Sequence, residues 1–149
     1  MRRTLATGVS WTVFISAIYL FLGFRPAPPQ TIGAGEVCFR CHRVITSARL
    51  AAEIIDGNLP TKYKTTGCMA VYAAAHLGSG SRYYVTDFTS GGLIQAEHAW
   101  FVPVVINDTT NERDYRAYYS RGMAQITAQV LHVPVIRWSD VIERARSRA

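Results

Sequence analysis

A long uncharged run occupies the amino-terminal end of the sequence. It covers residues 4–24 and follows Arg2 and Arg3. A run of this length can cross the hydrocarbon core of a membrane as a helix, and the two arginines favour a cytoplasmic start. Residues 1–25 are therefore predicted to form a single-pass signal anchor or transmembrane helix in the cytoplasmic (inner) membrane. The remaining chain would lie on the exported, periplasmic side, and retention of the segment is favoured over cleavage.

Two segments of different composition follow this run. Residues 26–36 are rich in proline and glycine, which is typical of a linker that is extended in one part and flexible in another. Residues 37–149 have the mixed pattern of a folded domain. We predict one compact α+β domain there, with halves at about 37–90 and 91–149.

The first half of this domain has the pattern of a ββαβ unit. Strands are predicted at about 50–55 and 62–65, with the turn Asp56-Gly57-Asn58 between them. An alanine-rich helix is predicted at 69–77, with Thr66 as its N-cap and the glycines of 78–81 at its end. Aromatic and β-branched residues at 83–88 then indicate a third strand.

The second half repeats this order approximately. Strands are predicted at 93–96 and 100–106, followed by a polar loop at 107–114, a helix at 122–132 and a strand at 133–138. Ser139 is predicted to cap a last short helix that extends to residue 148. The sequence therefore predicts two ββαβ-like halves after the amino-terminal helix.

Composition and charge exclude several classes of function. The net charge is +6, but basic residues are scattered along the chain, so nucleic acid is not a predicted partner. The acidic residues form no paired-carboxylate site, and neither a serine-nucleophile motif nor a phosphate-binding loop occurs. The protein is therefore not predicted to be an enzyme.

Cysteine and its neighbours supply the candidate chemistry. Two of the three cysteines lie in Cys38-Phe39-Arg40-Cys41-His42, and the third lies in Gly67-Cys68-Met69. Three cysteines cannot all pair within one chain, so a disulfide framework explains them poorly. Thiolates, a thioether and an imidazole are donors for soft metals. These five residues (Cys38, Cys41, His42, Cys68 and Met69) are the candidate metal ligands.

Three cofactors are compatible with these donors, and the residues alone leave the choice open. Cu(I) suits a site of thiolates with a thioether or imidazole. Cys-x-x-Cys-His is also the attachment signature of c-type haem, with His42 as the proximal ligand and Met69 or His76 as the second axial ligand. A zinc site of Cys38, Cys41, Cys68 and a histidine is a weaker alternative.

The order of several short motifs resembles that of the NosL family, the accessory proteins of nitrous oxide reductase. The likeness spans about 37–141 and rests on Cys-x-x-Cys at 38–41, Ala-Ala-Glu-Ile at 51–54, Gly-Cys-Met at 67–69, Asp-Phe at 87–88 and Ala-x-x-Ala-Trp-Phe-Val at 96–102. The chain resembles a divergent member, because His42 and Arg43 replace the family's usual Gly-Met and no lipid-acceptor cysteine is present.

The resemblance implies a fold and a function. Members are exported, membrane-tethered Cu(I) carriers built from two related ββαβ-type halves. It therefore implies an exported copper-binding accessory protein that uses Cys38, Cys41, Cys68 and Met69 and serves a respiratory or other metalloenzyme during assembly. Two alternatives are a membrane-anchored c-type haem protein for electron transfer, and a structural accessory subunit without metal.

Overall fold

The computed structural model describes residues 26–76 and 80–147. This part of the chain has an α+β fold with six β-strands and three α-helices. The predicted membrane segment at 4–24 lies outside the described residues. Within them, no helix combines the length and the apolar character needed to cross a membrane.

Four strands form an antiparallel sheet in the order β2-β1-β3-β4. Their bounds are β1 Ala52–Asp56, β2 Leu59–Tyr63, β3 Arg82–Thr86 and β4 Leu93–Gln95. The tight turn between β1 and β2 needs a positive φ, which Gly57 adopts at 58° without steric strain. The strands predicted at 50–55 and 83–88 correspond to β1 and β3. The strand predicted at 62–65 corresponds to β2, which begins three residues earlier.

Two further strands, β5 (Trp100–Asn107) and β6 (Glu112–Tyr118), pair antiparallel in a second sheet. Phe101 of β5 also pairs antiparallel with Ile136 through a single bridge. Strand β5 therefore lies between β6 and Ile136. Strand β1 lies in the same way between β2 and β3. The ββα order therefore recurs in both parts of the domain, although the third strand of the second part is reduced to one bridge.

The three helices are α1 (Thr66–Ala75), α2 (Arg121–Leu131) and α3 (Trp138–Arg146). Thr65 caps α1 by accepting from the backbone N–H of Cys68 at 3.2 Å. Ser120 caps α2 in the same way, through Met123. The start of α3 is held by Asp140, whose carboxylate accepts from the backbone N–H of Arg137 at 2.8 Å.

The principal core lies between α1, α3 and both sheets. It is filled by apolar side chains from these elements, among them Ile54, Tyr83, Met69, Phe101, Trp138 and Val141. A smaller core, built around Val102, Val104, Tyr118, Ala124 and Ala128, fills the space between the opposite face of the second sheet and α2. The principal core fixes the amino-terminal end of α1 against the sheets, and that end carries Cys68.

Four local predictions are wrong. The polar run at 107–114 is only partly a loop, because strand β6 begins at Glu112; its charged residues had indicated a loop. The strand predicted at 133–138 forms no ladder beyond the bridge at Ile136. The N-cap of α1 is Thr65, not Thr66. Ser139 does not cap the last helix, because that helix has already begun at Trp138.

Candidate metal centre

A short loop presents the first two cysteines. Val37 and Val44 pair across its base, and the Cys38 N–H donates to the Arg43 carbonyl at 2.9 Å. The Cys38 carbonyl in turn accepts from the backbone N–H of His42, which adopts a positive φ of 56°. The Phe39 N–H donates to the backbone carbonyl of Lys62 in strand β2 at 2.8 Å. These bonds place the Cys-x-x-Cys loop beside the segment that leads from β2 into α1.

The third cysteine lies in the first turn of α1, where a buried carboxylate fixes the backbone. Asp114 of β6 is only 6% exposed and accepts from the Gly67 and Tyr115 N–H groups, each at 2.8 Å. A Cβ at position 67 would lie 2.8 Å from Asp114 Oδ2, so only glycine permits this approach. Strand β6 thus holds the start of α1, and with it Cys68, in position.

All three sulfur atoms converge at this place. The Cys38 and Cys68 Sγ atoms are 3.4 Å apart, and the Sγ atoms of Cys38, Cys41 and Cys68 all lie within 4.8 Å of one another. None of these thiols forms a disulfide. Cys38 is fully buried, Cys68 is 8% exposed and Cys41 is half-buried. A single metal ion placed among them can contact three soft donors.

The environment separates the proton affinities of the two buried thiols. Burial raises the pKa of Cys38, but hydrogen bonds from the backbone of Cys41 and Lys64 and contacts with the neighbouring thiols outweigh it, so the pKa lies below its usual value. Burial, together with the adjacent Cys38, raises the pKa of Cys68 to about 12. Cys38 therefore ionises before Cys68, and a metal that binds Cys68 as a thiolate displaces its proton.

Two different surroundings border the thiols. On one side Cys38 and Cys68 belong to the principal core, together with Tyr63 and Met69. On the other side a cleft of about 400 Å³ opens onto Cys41 and Cys68. Its charged lining consists of Arg40, Arg43, Lys64, Glu112, Arg113 and Asp114. The site is thus apolar on its inner side and open to the cleft on its outer side.

The other sequence-derived candidates lie in different settings. Met69 follows Cys68 in the chain and is fully buried in the principal core. His42 is exposed and does not belong to the group of three thiols. His76, at the end of α1, is exposed and stacks on Tyr72 with a centroid distance of 4.2 Å. In the described part of the chain, no histidine joins the three sulfur atoms.

Asp114 and Gly67 position the site, and neither role was identified from the sequence. Asp114 lies in a run with Asp108, Glu112 and Arg113, which indicated an exposed loop. Its burial and its bond to Gly67 depend on how β6 crosses α1. The one local signal of this contact was Gly67 itself. Glycine is unfavourable inside a helix, so a glycine in the first turn indicates that another group approaches the backbone closely there.

Comparisons with known proteins give a fold but no family. Neither a protein-family model nor a curated protein matches this chain. The chain is similar to the crystal structure of the copper chaperone NosL from Shewanella denitrificans, with a TM-score of 0.64 and 14% sequence identity. The superposition covers 77% of this chain and 96% of that one. The α+β fold of the described residues is therefore that of this structure.

Proposed function

We propose that the protein is a copper-binding accessory protein that holds one Cu(I) ion between Cys38, Cys41 and Cys68. The observation that carries the proposal is the convergence of the three sulfur atoms within 4.8 Å at the edge of a core. Soft thiolates are ligands for Cu(I), zinc and iron–sulfur clusters, and Cu(I) is stable with only two or three of them. The fold likeness to a copper chaperone supports the same assignment.

The donor set favours Cu(I) over zinc. Structural zinc sites are closed by four ligands, and here the described residues bring three thiols together without a histidine. A three-coordinate thiolate site with two of its cysteines, Cys41 and Cys68, lining a cleft suits a metal ion that is carried and released. The ion is then cargo, and the chain's own contribution is to hold, shield and present it.

The same geometry argues against covalent haem at Cys38 and Cys41. Haem attachment requires both thiols to reach the vinyl groups of one porphyrin edge. Cys38 is fully buried, with its sulfur 3.4 Å from that of Cys68, and His42 is exposed. Haem attachment would therefore require this loop to separate from α1, whereas a metal ion requires no rearrangement of that kind.

We further propose that residues 1–25 tether the domain to the inner membrane on the periplasmic side and that the copper is delivered to a metalloenzyme during its assembly. The support for the membrane tether is the uncharged run at 4–24 behind two arginines. Protease treatment of intact spheroplasts tests the topology. Digestion of the domain from the outer face is expected, and digestion only after the membrane is opened would contradict it.

Anaerobic titration of the reduced full-length protein against a coloured Cu(I) chelator tests the function itself. We expect one Cu(I) ion to be withheld from the chelator per chain, with an ultraviolet absorption from sulfur-to-copper charge transfer. Failure to withhold copper at any chelator concentration would contradict the proposal.

A further inference from the structure

Three arginines surround the open side of the thiol site. Arg40, Arg43 and Arg113 line the cleft that leads to Cys41 and Cys68, and all three are exposed. The ion pairs among the described residues join Lys62 to Glu36 and Lys64 to Glu112, each at 2.7 Å. Of the cleft cations, Lys64 is thus neutralised, whereas none of the three guanidinium groups is paired with a described carboxylate.

The carboxylates of the cleft do not cancel this charge. Glu112 is bound to Lys64, and the carboxylate of Asp114 is buried against the Gly67 and Tyr115 backbone. Positive charge that lines a concave surface focuses its field and attracts negatively charged molecules.

Exposed apolar side chains lie in and at the base of the Cys-x-x-Cys loop, next in the chain to Arg40 and Arg43. Phe39 is 49% exposed, and Val37 and Val44 at the base of the Cys-x-x-Cys loop are 56% and 53% exposed. Aromatic residues and arginine are the types enriched where proteins bind one another. The loop that carries Cys38 and Cys41 therefore combines exposed apolar side chains with two of the arginines that line the cleft. We name this surface, formed by Val37, Phe39, Arg40, Arg43, Val44 and Arg113, the cleft mouth.

We propose that the cleft mouth is the docking surface for an acidic protein segment that carries a soft sulfur ligand, and that copper passes to or from that segment there. The proposal rests on the copper function proposed above. During transfer to the partner, its sulfur ligands bond to Cu(I) one after another as the bonds to Cys41, Cys68 and finally Cys38 break. The copper stays Cu(I), and each released thiolate takes a proton from solvent; transfer from the partner runs through the same exchanges in reverse.

Binding of a synthetic peptide to the reduced, copper-free full-length protein tests the docking surface directly. The probe is a fluorescent peptide with two methionines flanked by glutamates, and its partner peptide has lysines in place of the glutamates. At low salt we expect the acidic peptide to bind at least about tenfold more tightly, and at about 0.5 M salt the difference should largely disappear.

Charge reversal locates the binding surface. Arg43→Glu/Arg113→Glu should weaken acidic-peptide binding at least about tenfold at low salt. Arg144→Glu/Arg146→Glu is the matched control, because it makes the same change in net charge on exposed residues at the end of α3. We expect it to change the affinity less than about threefold.

Three results would overturn the proposal: equal affinity for the two peptides, equal loss in the two double variants, or binding of anionic phospholipid vesicles through Arg43 and Arg113 with no binding of the peptide. Because this assay contains no copper, its outcome is independent of whether the protein binds Cu(I). If the chelator titration succeeds and the peptide does not bind, only the docking surface is wrong.

Discussion

The carboxylate of Asp114 lies where a side chain on residue 67 would stand. A Cβ at Gly67 would come within 2.8 Å of Asp114 Oδ2 and 3.1 Å of its Cγ. Because Asp114 is buried and bonded to the backbone, it cannot move away as a surface side chain would. This contact links strand β6 to the helix turn that carries Cys68.

Gly67→Ala is expected to destabilise the copper-free protein by about 1–3 kcal/mol, which is typical of overpacking. Gly122→Ala is the matched control, since Gly122 also occupies the second position of a helix but has its nearest atom, Ser120 Oγ, at 3.7 Å. That change should be neutral or stabilising by up to about 1 kcal/mol. Urea denaturation measures both changes.

Removal of the carboxylate provides a second check on this contact. In an Asp114→Ala background the steric conflict is gone, so Gly67→Ala should destabilise by less than half as much as in the wild type. An unchanged effect in that background would show that the two residues are not coupled.

The thiols and the thioether are expected to contribute unequally to copper affinity. Cys68→Ser should weaken Cu(I) binding at least about tenfold, or about 1.4 kcal/mol, because it removes one of three converging donors. Met69→Leu should weaken it by less than about threefold, since Met69 packs in the core and leucine preserves most of its volume.

Chelator competition measures these affinities, with Met123→Leu as the control for a methionine that is 40% exposed on α2. A Met69→Leu effect as large as that of Cys68→Ser would identify the thioether as a principal ligand. Unchanged affinity in Cys68→Ser would remove that thiol from the site.

The sequence predicted the helices and strands that have strong apolar patterns. It could not predict contacts between elements that are distant in the chain, such as the contact of β6 with α1. Strands β1, β3 and β5 combine aliphatic or aromatic residues with clear turns, and the pattern of α1 is likewise local. Strand β6 was missed because a charged residue such as Asp114 indicates an exposed loop. In the fold Asp114 is buried and accepts a hydrogen bond from the Gly67 N–H at the start of α1.

The candidate site was predicted only in part for the same reason. The sequence identified all three thiols, but nothing in it specifies that Cys38 and Cys68, which are 30 residues apart, lie in contact. It also gave His42 and His76 as candidates through motif and spacing alone. Whether an imidazole or a thioether faces a site depends on loop geometry, and the loop leaves His42 exposed.

A buried carboxylate is expected to make stability depend on pH. Glu53 is fully buried, its Oε1 has no hydrogen-bond partner among the described residues, and burial raises its pKa. At pH values between the unfolded and the folded pKa, Glu53 keeps its proton in the folded protein and has lost it in the unfolded chain. The contribution of Glu53 is therefore fully present below the unfolded value of about 4.3 and is lost as the pH rises through the folded pKa.

Glu53→Gln should remove this decline, so its stability relative to the wild type should improve as the pH rises from about 4 to neutral. Glu36→Gln is a control of opposite sign. The Lys62 side chain, followed by the Gly33 N–H, lowers the pKa of Glu36, so its contribution is lost as the pH falls. Thermal unfolding across this range measures both. A parallel pH dependence in Glu53→Gln and the wild type would contradict the assignment.

Intact-mass analysis distinguishes the copper protein from a c-type haem protein. Covalent haem would add the mass of haem, survive denaturation and leave only Cys68 open to alkylation. We expect no such addition and three alkylatable cysteines after reduction and chelation. The protein must come from a host that can attach haem. A haem adduct on Cys38 and Cys41 would replace the copper account with the haem account.

X-ray absorption at the copper edge of the Cu(I)-loaded full-length protein tests the central claim most directly. Convergence of the Cys38, Cys41 and Cys68 sulfurs within 4.8 Å predicts a first shell of sulfur only, with three scatterers. Cys68→Ser should reduce that shell by one sulfur. A first shell dominated by nitrogen or oxygen, or one unchanged by Cys68→Ser, would contradict the three-thiolate site.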